Sequence, residues 1–347
     1  WFGGLGVVLG LGDLGRLIYR RPDPGLGLLR VGDLRPATEP PPALGDAAFN
    51  RVQGLTPAIT SNDLFYVVDE EIIDPDIDPA TWRLPVRGLV AHPFQLTYDD
   101  LLRLSVVERY QTLECISNDV GGNLISTARW EGVPLAEILD RAGVGPGAVE
   151  VVFRCAGGYS ESLSLSQALD ERTLLAIGMN GHVLPRAHGF PARVLSVGTY
   201  GMKNPKWVTS VEVVDRPYQG FWEQRGWNKL ALVKTGSRID TPLAGKTVRG
   251  AVPIAGVAFA GDREVSRVEV STDGGRSWQE AHLETALSRY TWRRWLFEWS
   301  ASGTGRSNLV VRAYDGRGAV QASLVTPPHP DGATGYESIT VNRGAAG

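Results

Sequence analysis

The chain has 347 residues, enough for two domains of ordinary size, and 43% of them are hydrophobic, so a sizeable core can form. Its formal net charge of -3 at pH 7 gives no basis for binding nucleic acid or an anionic membrane surface. With two cysteines, a disulfide-rich scaffold is excluded, although a single bridge is not. No C-x-x-C, H-E-x-x-H or EF-hand spacing occurs, so the common zinc and calcium sites are not expected.

Residues 1–21 form an apolar, glycine-rich segment in which Asp13 is the first charged residue. Its first 12 residues are uncharged, which is too few to span a bilayer. We expect either the stub of a truncated transmembrane helix or a short apolar helix or loop. The stub is favoured because exposed leucine, valine and tryptophan would otherwise need a partner surface. One helix end does not settle which side of a membrane the rest of the chain faces.

Residues 22–57 are rich in proline and glycine and predict an extended linker or wrapping arm. A folded domain is expected over residues 58–236. Its predicted strands include residues 60–68 and 82–90. Thr97 is a predicted helix N-cap, and residues 134–143 predict a helix with one apolar face that ends at Gly143. Alternating strands and helices indicate an α+β or mixed α/β domain.

Residues 237–345 contain strand patterns without helices. Residues 265–271 alternate cleanly between polar and apolar, and residues 272–276 have the composition of a hairpin turn. Residues 293–299 and 309–315 are further strands. Several short strands joined by turns predict a β-sandwich of immunoglobulin type, and the tryptophans of this region are expected in cores and interfaces.

Cys115 is the first candidate for chemistry, in the run ECISNDVGGN at residues 114–123. A buried free cysteine is most often a small hydrophobic core residue. A single thiolate in a loop rich in glycine, asparagine and serine also suits one soft metal whose other ligands come from elsewhere, for example from an organic cofactor. Cys155 has no such surroundings, and we expect it to be structural.

A second candidate lies in HGFPAR at residues 188–193 and GTYGMKNPKW at residues 198–207. Histidine, arginine and lysine gathered in loops rich in glycine and proline suit a phosphate, because guanidinium, ammonium and backbone N–H groups all donate to it. The alternative is a solvated surface loop. Asn180-Gly181 predicts a hairpin turn first and a site feature second.

These motifs, together with ARWEGVPL at residues 128–135, resemble the sulfite oxidase family over about residues 55–345. The resemblance implies an α+β fold, with a mixed α/β molybdopterin-binding domain followed by an immunoglobulin-like β-sandwich that forms a homodimer. It implies a molybdenum-molybdopterin cofactor, with Cys115 as the metal ligand. The cofactor-binding residues that it implies are Tyr66, Val67, Val68, His188, Arg193, Asn204, Pro205 and Lys206.

Three departures from the family concern the substrate. The family has an arginine where this chain has Val68, an arginine pair where it has Asp119-Val120, and an active-site tyrosine that aligns with Trp227. Arginines hold small oxyanions through charge-assisted hydrogen bonds, so their replacement predicts weak sulfite binding. We expect Asn118, Asp119 and Trp227 to shape the substrate pocket beside Cys115.

The resemblance implies two-electron oxygen-atom transfer on a small sulfur-containing substrate, with electrons passed to an external redox partner. A related bacterial branch reduces methionine sulfoxide with a membrane haem protein, which makes a sulfoxide reductase at the bacterial cell membrane the alternative. A non-catalytic scaffold that kept the fold is a second alternative. An adhesion module would explain only the β-sandwich.

Overall fold

The computed structural model describes residues 46–71 and 73–344. The first domain consists of these helices and strands in chain order: α1 (Ala47–Asn50), β1 (Arg83–Gly88), β2 (Phe94–Thr97), α2 (Tyr98–Leu102), β3 (Val107–Glu114), β4 (Ile125–Pro134), α3 (Leu135–Ala142), β5 (Glu150–Cys155), β6 (Ser160–Ser164), α4 (Leu165–Ala168), β7 (Leu174–Met179), β8 (His182–Val183), β9 (Arg193–Leu195) and β10 (Val208–Val214). Single 3-10 turns cover Arg186–His188, Gly201–Lys203 and Glu223–Arg225.

Two sheets build this domain. The first has the order β2-β1-β10-β5-β6, in which β1 and β10 are parallel and the other pairs are antiparallel. The second is antiparallel, with the order β3-β4-β7-β8, and β9 also pairs with β7. The largest core cluster packs α3 and residues of both sheets together, and includes the fully buried Leu84, Leu139 and Phe153. The helices are few and short, so the domain is mostly β.

The second domain is a β-sandwich. It consists of β11 (Gly236–Thr241), β12 (Thr247–Val248), β13 (Gly250–Phe259), β14 (Val265–Ser271), β15 (Gln279–Glu280), β16 (His282–Leu283), β17 (Arg293–Ala301), β18 (Gly305–Asp315) and β19 (Glu337–Arg343). Its sheets have the orders β11-β13-β17-β16 and β12-β19-β18-β14-β15. Trp295 is fully buried in the core between them. The immunoglobulin-like sandwich that the sequence predicts is confirmed.

Local signals placed several elements correctly. Thr97 caps α2 in a reciprocal capping box with Asp100. Gly143 ends α3 with a φ of 66°, in the left-handed region. Asn180 and Gly181, both with positive φ, turn the chain between β7 and β8, where Met179 pairs with His182.

One predicted strand is wrong. Residues 60–68 form turns and irregular chain. The backbone N–H of Tyr66 donates to the Ser126 hydroxyl at 3.2 Å, so a side chain takes the place of a ladder partner. The run of aromatic and β-branched residues fits a half-buried surface, which here is the wall of a cavity and not a sheet.

The N-terminal predictions lie mostly outside the described residues. This holds for the apolar segment 1–21 and for residues 22–45 of the arm. Residues 47–50 form one turn of helix where extended chain was expected, and Phe49 is buried with the guanidinium of Arg294 at 5.5 Å from its ring. In the part of the chain that the structure describes, no helix is long and apolar enough to cross a membrane.

Loops of both domains meet at a junction beside Cys115. Trp292 is buried there, and its backbone N–H donates to the Thr112 hydroxyl at 2.8 Å, while its indole N–H donates to the Ala58 carbonyl at 3.1 Å. Arg238 of β11 donates to the Gly122 carbonyl at 2.9 Å. These hydrogen bonds from the sandwich therefore stabilise the region around the loop that carries Cys115.

Candidate active site

A cavity of about 320 Å³ opens between the loop after β3, the irregular residues 65–70 and the segment 187–207. Its far wall is formed by residues 221–227. The cavity gathers residues that are distant in sequence, and its lining includes these predicted site residues: Tyr66, Val67, Val68, Cys115, His188, Arg193, Asn204, Pro205, Lys206 and Trp227.

Cys115 is half-buried on the wall of this cavity. Its backbone N–H donates to the Leu124 carbonyl at 2.9 Å, which closes the loop, and its Sγ lies 3.0 Å from the Ser117 hydroxyl. Burial raises the pKa of the thiol, and the contact with Ser117 partly offsets that shift. Among the described residues no group of three or more His, Cys, Asp and Glu could hold a metal ion. Cys115 is thus suited to be a lone protein ligand.

Arg193 is a buried cation at the base of the cavity. Its terminal nitrogens donate to the carbonyls of His188 at 3.1 Å and Asn204 at 3.0 Å. Its Nε is buried and has no hydrogen-bond partner in the described chain. Burial lowers its pKa to about 10, so it stays charged at neutral pH.

Lys206 is the second cation, and Asp69 partly neutralises it. Its ammonium donates to the Asp69 carboxylate at 2.5 Å and to the Ala187 carbonyl at 3.1 Å, and it lies 4.2 Å from the ring centroid of Trp207. Burial lowers the pKa of Lys206, and the Asp69 carboxylate opposes that shift.

His188 and Asn204 hold the backbone around these cations. The Nε2 of His188 lies 2.9 Å from the Asn62 carbonyl oxygen. The Asn204 amide accepts from the Ser196 N–H at 2.7 Å and donates to the Tyr200 carbonyl at 3.0 Å. The Asn204 side chain is therefore engaged within the protein, and this residue is available to a ligand through its backbone.

Asn118 and Asp119 do not reach the cavity that holds Cys115. Both line a smaller pocket of about 50 Å³ at the junction with the sandwich. Asn118 donates to the Glu114 carboxyl at 3.0 Å and accepts from the Leu124 N–H at 2.9 Å, so its side chain stabilises the loop. Asp119 is exposed. Proximity to Cys115 in sequence does not place these side chains beside the thiol, because the loop turns between them.

Sequence reasoning missed several lining residues: Glu70, Tyr159, Phe221, Trp222 and Arg225. Burial raises the pKa of Glu70 to about 7. The Tyr159 hydroxyl donates to the Met202 carbonyl at 2.6 Å. The adjacent aromatic residues in the stretch between Gly220 and Gly226 were the one signal that could have pointed to Phe221 and Trp222.

A buried ion cluster positions this aromatic wall. Lys203 donates to Glu161 of β6 at 2.8 Å and to Glu223 at 2.5 Å, and all three side chains are at most 4% exposed. Glu223 follows Trp222 directly and also accepts from the Gly220 N–H at 3.0 Å. The cluster thus ties the wall to the segment that contributes Asn204 and Lys206 to the cavity.

The chemistry of the lining fits a pterin-phosphate cofactor that carries a soft metal. The Cys115 thiol can serve as the metal ligand, because a bound metal deprotonates a coordinating thiol. The unpartnered Nε of Arg193 and the ammonium of Lys206 suit an anionic group. The rings of Phe65, Tyr66 and Trp207 provide flat surfaces for a heterocycle.

The comparisons with known protein families agree with this assignment. Residues 71–222 match the oxidoreductase molybdopterin binding domain, and residues 231–326 match the Mo-co oxidoreductase dimerisation domain. The fold is similar to that of the sulfane dehydrogenase SoxCD from Paracoccus pantotrophus, with a TM-score of 0.68 and 22% identity over 79% of this chain and 80% of that one.

Sulfite oxidases from animals and plants are similar in sequence. The chain is 32% identical to the mitochondrial sulfite oxidase of Rattus norvegicus, over 86% of this chain and 62% of that protein. It is 29% identical to the sulfite oxidase of Arabidopsis thaliana, over 77% of this chain and 83% of that protein. The match spans less than two thirds of the rat protein's length. By both domains together, the chain belongs to the sulfite oxidase family of molybdopterin-dependent oxidoreductases.

Proposed function

We propose that this protein catalyses two-electron oxygen-atom transfer on a small sulfur compound and exchanges the electrons with an external redox partner. The observation that carries the proposal is the placement of the Cys115 thiol, the cations Arg193 and Lys206, and an aromatic wall in one cavity. Bound there, the molybdenum cofactor supplies the oxygen-atom transfer, while the protein supplies ligand, orientation and field.

Each residue has a defined task in this proposal. Cys115 would hold the metal, Arg193 and Lys206 would hold the anionic end of the cofactor, and Trp222 and Trp227 would exclude water from the substrate. Oxidation of a sulfur centre consumes one water and releases two electrons and two protons, and reduction of a sulfur oxide does the reverse. The Glu70 carboxyl, with a pKa of about 7, is placed to hold one of these protons.

Sulfite itself is a poor match to the cavity. Val68 lines the wall where an arginine would hold an oxyanion, and Asp119 and Val120 lie in the separate junction pocket. The rings of Phe221, Trp222 and Trp227 accommodate the apolar substituents of a larger sulfur compound, and Arg225 lies on the same wall. This observation supports the second candidate, a sulfoxide reductase that receives electrons from a membrane haem protein.

The partners of the protein are part of the proposal. The dimerisation domain supports a homodimer. Membrane association through residues 1–21 and a bacterial membrane haem protein as the electron partner both rest on the sequence pattern alone. A non-catalytic scaffold is disfavoured, since it would have no need for a buried arginine with an unsatisfied Nε in the same cavity as a half-buried thiol.

Metal and pterin content of the purified protein tests the proposal. We expect about one molybdenum per chain from a host that makes the cofactor, and almost none in Cys115→Ser with loss of viologen-linked or ferricyanide-linked turnover. Cys155→Ala is the matched control, because it removes the other thiol, which is buried and does not line the cavity. Wild-type protein without molybdenum would contradict the oxidoreductase proposal and favour the scaffold.

A further inference from the structure

Residues 220–227, the wall turn, carry the aromatic wall of the cavity on a compact piece of chain that holds its own shape. The backbone N–H groups of Gln224 and Trp227 donate to carbonyls within the turn, at 3.1 and 3.2 Å. The Arg225 guanidinium lies 3.5 Å from the ring centroid of Phe221. These contacts fix the shape of the turn, but they do not fix where the turn lies relative to the cavity.

Two polar contacts join the wall turn to the rest of the described chain. The Phe221 N–H donates to the Ser160 carbonyl of β6 at 2.8 Å, and Lys203 donates to the Glu223 carboxylate at 2.5 Å. The second contact comes from the 3-10 turn Gly201–Lys203, which leads directly into the predicted cofactor-binding segment. The side chain of Lys203 does not itself line the cavity.

One ammonium here serves two buried carboxylates. Besides Glu223, Lys203 donates to Glu161 of β6 at 2.8 Å and to the Ser162 carbonyl at 3.2 Å, so its three donors are all used. One carboxylate oxygen of Glu161 is buried and has no hydrogen-bond partner in the described chain. Burying these charges costs desolvation free energy that apolar side chains of the same volume would avoid. The cluster is therefore better explained by the geometry that it fixes than by a gain in stability.

The wall turn begins directly against this cluster. A methyl group on Gly220 would lie 2.6 and 2.8 Å from the two carboxylate oxygens of Glu161. The Gly220 N–H donates to the second carboxylate oxygen of Glu223 at 3.0 Å. The start of the turn thus contacts Glu161 and its centre carries Glu223, while Lys203 bonds both carboxylates. The position of the wall therefore depends on one side chain outside the turn.

We propose that Lys203 is a positioning residue. Acting through Glu223, it holds Trp222 and the rest of the wall turn against the cavity, and so sets how tightly a substrate is bound there. The effect on turnover rests on the proposed function of the cavity, whereas the effect on the wall does not. Because Lys203 does not line the cavity that holds Cys115, its removal should change the wall and not the metal ligand.

Hydrogen–deuterium exchange of the peptide that spans residues 219–228 measures the wall directly. In Lys203→Met we expect the amides of this peptide to exchange about tenfold faster than in wild type, because the centre of the turn loses its attachment. Arg294→Met is the matched control. It breaks a buried ion pair with Glu284 in the sandwich, where both side chains are at most 6% exposed, and should leave this peptide unchanged. Unchanged exchange in Lys203→Met would overturn the inference.

A neutral variant separates positioning from folding. Lys203→Met alone leaves two buried carboxylates without a cation, which is strongly destabilising. The triple variant Glu161→Gln/Lys203→Met/Glu223→Gln removes all three charges, so we expect it to keep the fold and the molybdenum content of wild type. Exchange of residues 219–228 should still be fast. Slow exchange in the triple variant would show that packing alone holds the wall, and the inference would fail.

Turnover gives a second readout. Reduction of methyl phenyl sulfoxide by reduced benzyl viologen and oxidation of sulfite by ferricyanide are both measured. In the assay that wild type supports, we expect the triple variant to raise KM about tenfold and to change kcat by less than about twofold, since the metal ligand and the cations of the cavity are untouched. A lower kcat at unchanged KM would contradict the assigned role. Wild type that turns over neither compound would instead contradict the proposed function, and the exchange measurements would still decide on Lys203.

Discussion

At the scale of one residue, Arg193 contributes both to the stability of the fold and to the proposed binding of the cofactor. Its guanidinium lies 5.2 Å from the ring centroid of Trp130 and donates to the carbonyls of His188 and Asn204. Arg193→Met would remove both of these buried hydrogen bonds. We expect the free energy of unfolding to fall by about 2 to 4 kcal/mol, measured by urea denaturation, and molybdenum content to fall with it.

Arg193→Lys tests whether the positive charge alone is sufficient or whether the planar shape of the guanidinium is also needed. A single ammonium keeps the charge but does not reproduce the planar fork that spans the carbonyls of His188 and Asn204. We expect a smaller loss of stability than in Arg193→Met and a partial retention of molybdenum. Wild-type stability in Arg193→Met would show that these hydrogen bonds contribute little.

The chemistry of residue types and their motifs predicted the residues of the candidate site better than closeness to Cys115 in the sequence did. Cys115, Arg193 and Lys206 carry recognisable chemistry, and they share one cavity. Asn118 and Asp119 follow Cys115 closely, yet the loop directs them to the junction pocket. Glu70 and Tyr159 reach the cavity only through folding, so no local pattern could indicate them.

At the scale of elements, signals confined to a few residues were dependable. The capping box of α2, the glycine after α3 and the Asn180-Gly181 turn each depend on local backbone conformation. Residues 65–68 failed as a strand because strand formation needs a neighbouring chain, and a side-chain hydroxyl occupies that place. Sheet order is equally non-local, since β1 pairs with β10 across more than a hundred residues.

Gly256 in β13 offers a test of close packing in the sandwich. A methyl group at this position would lie 1.8 Å from the Arg238 carbonyl oxygen and 3.0 Å from the Trp295 ring. Backbone on one side and a buried indole on the other leave no room for relaxation. We expect Gly256→Ala to lower the free energy of unfolding by about 1 to 3 kcal/mol or more, measured by urea denaturation.

Gly236 in β11 is the matched control for this substitution. An added methyl group there meets no atom within 4 Å, and its φ is not positive. Gly236→Ala should therefore leave stability unchanged or raise it slightly, because the unfolded chain loses conformational freedom. Equal effects of the two substitutions would show that the sandwich accommodates a methyl group at Gly256.

The whole molecule depends on the junction between its two domains. Ile116, Tyr200, Phe259 and Trp292 belong to one core cluster drawn from both domains. Trp292→Ala would leave a cavity there and remove the indole hydrogen bond to the Ala58 carbonyl, while the backbone N–H of residue 292 keeps its bond to the Thr112 hydroxyl. We expect a loss of about 3 to 5 kcal/mol, and differential scanning calorimetry should show one unfolding transition in wild type and two in the variant.

Trp278→Ala is the control of the same residue type. Trp278 packs against Arg312 and Tyr336 within the sandwich, away from the junction. Its loss should weaken the sandwich without uncoupling the domains. Two transitions already present in wild type would contradict a cooperative junction.

Buried carboxyl groups give the molecule a pH dependence with a definite sign. Burial raises the pKa of Glu131 and of Glu337 from 4.5 to about 7. Between these values the folded protein binds more protons than the unfolded chain, so stability is fully present below about pH 4.5 and is lost as pH rises through about 7. Carboxyls with a lowered pKa, such as Asp170, titrate below this window and do not oppose the trend.

We therefore expect urea denaturation to give a lower free energy of unfolding at pH 8 than at pH 5.5, by about 1 kcal/mol or more. Glu337→Gln, which keeps an acceptor for the Ile239 N–H, should flatten this dependence, while the exposed Glu280→Gln should not. A free energy that rises with pH over this range would show that these groups are ionised in the folded protein.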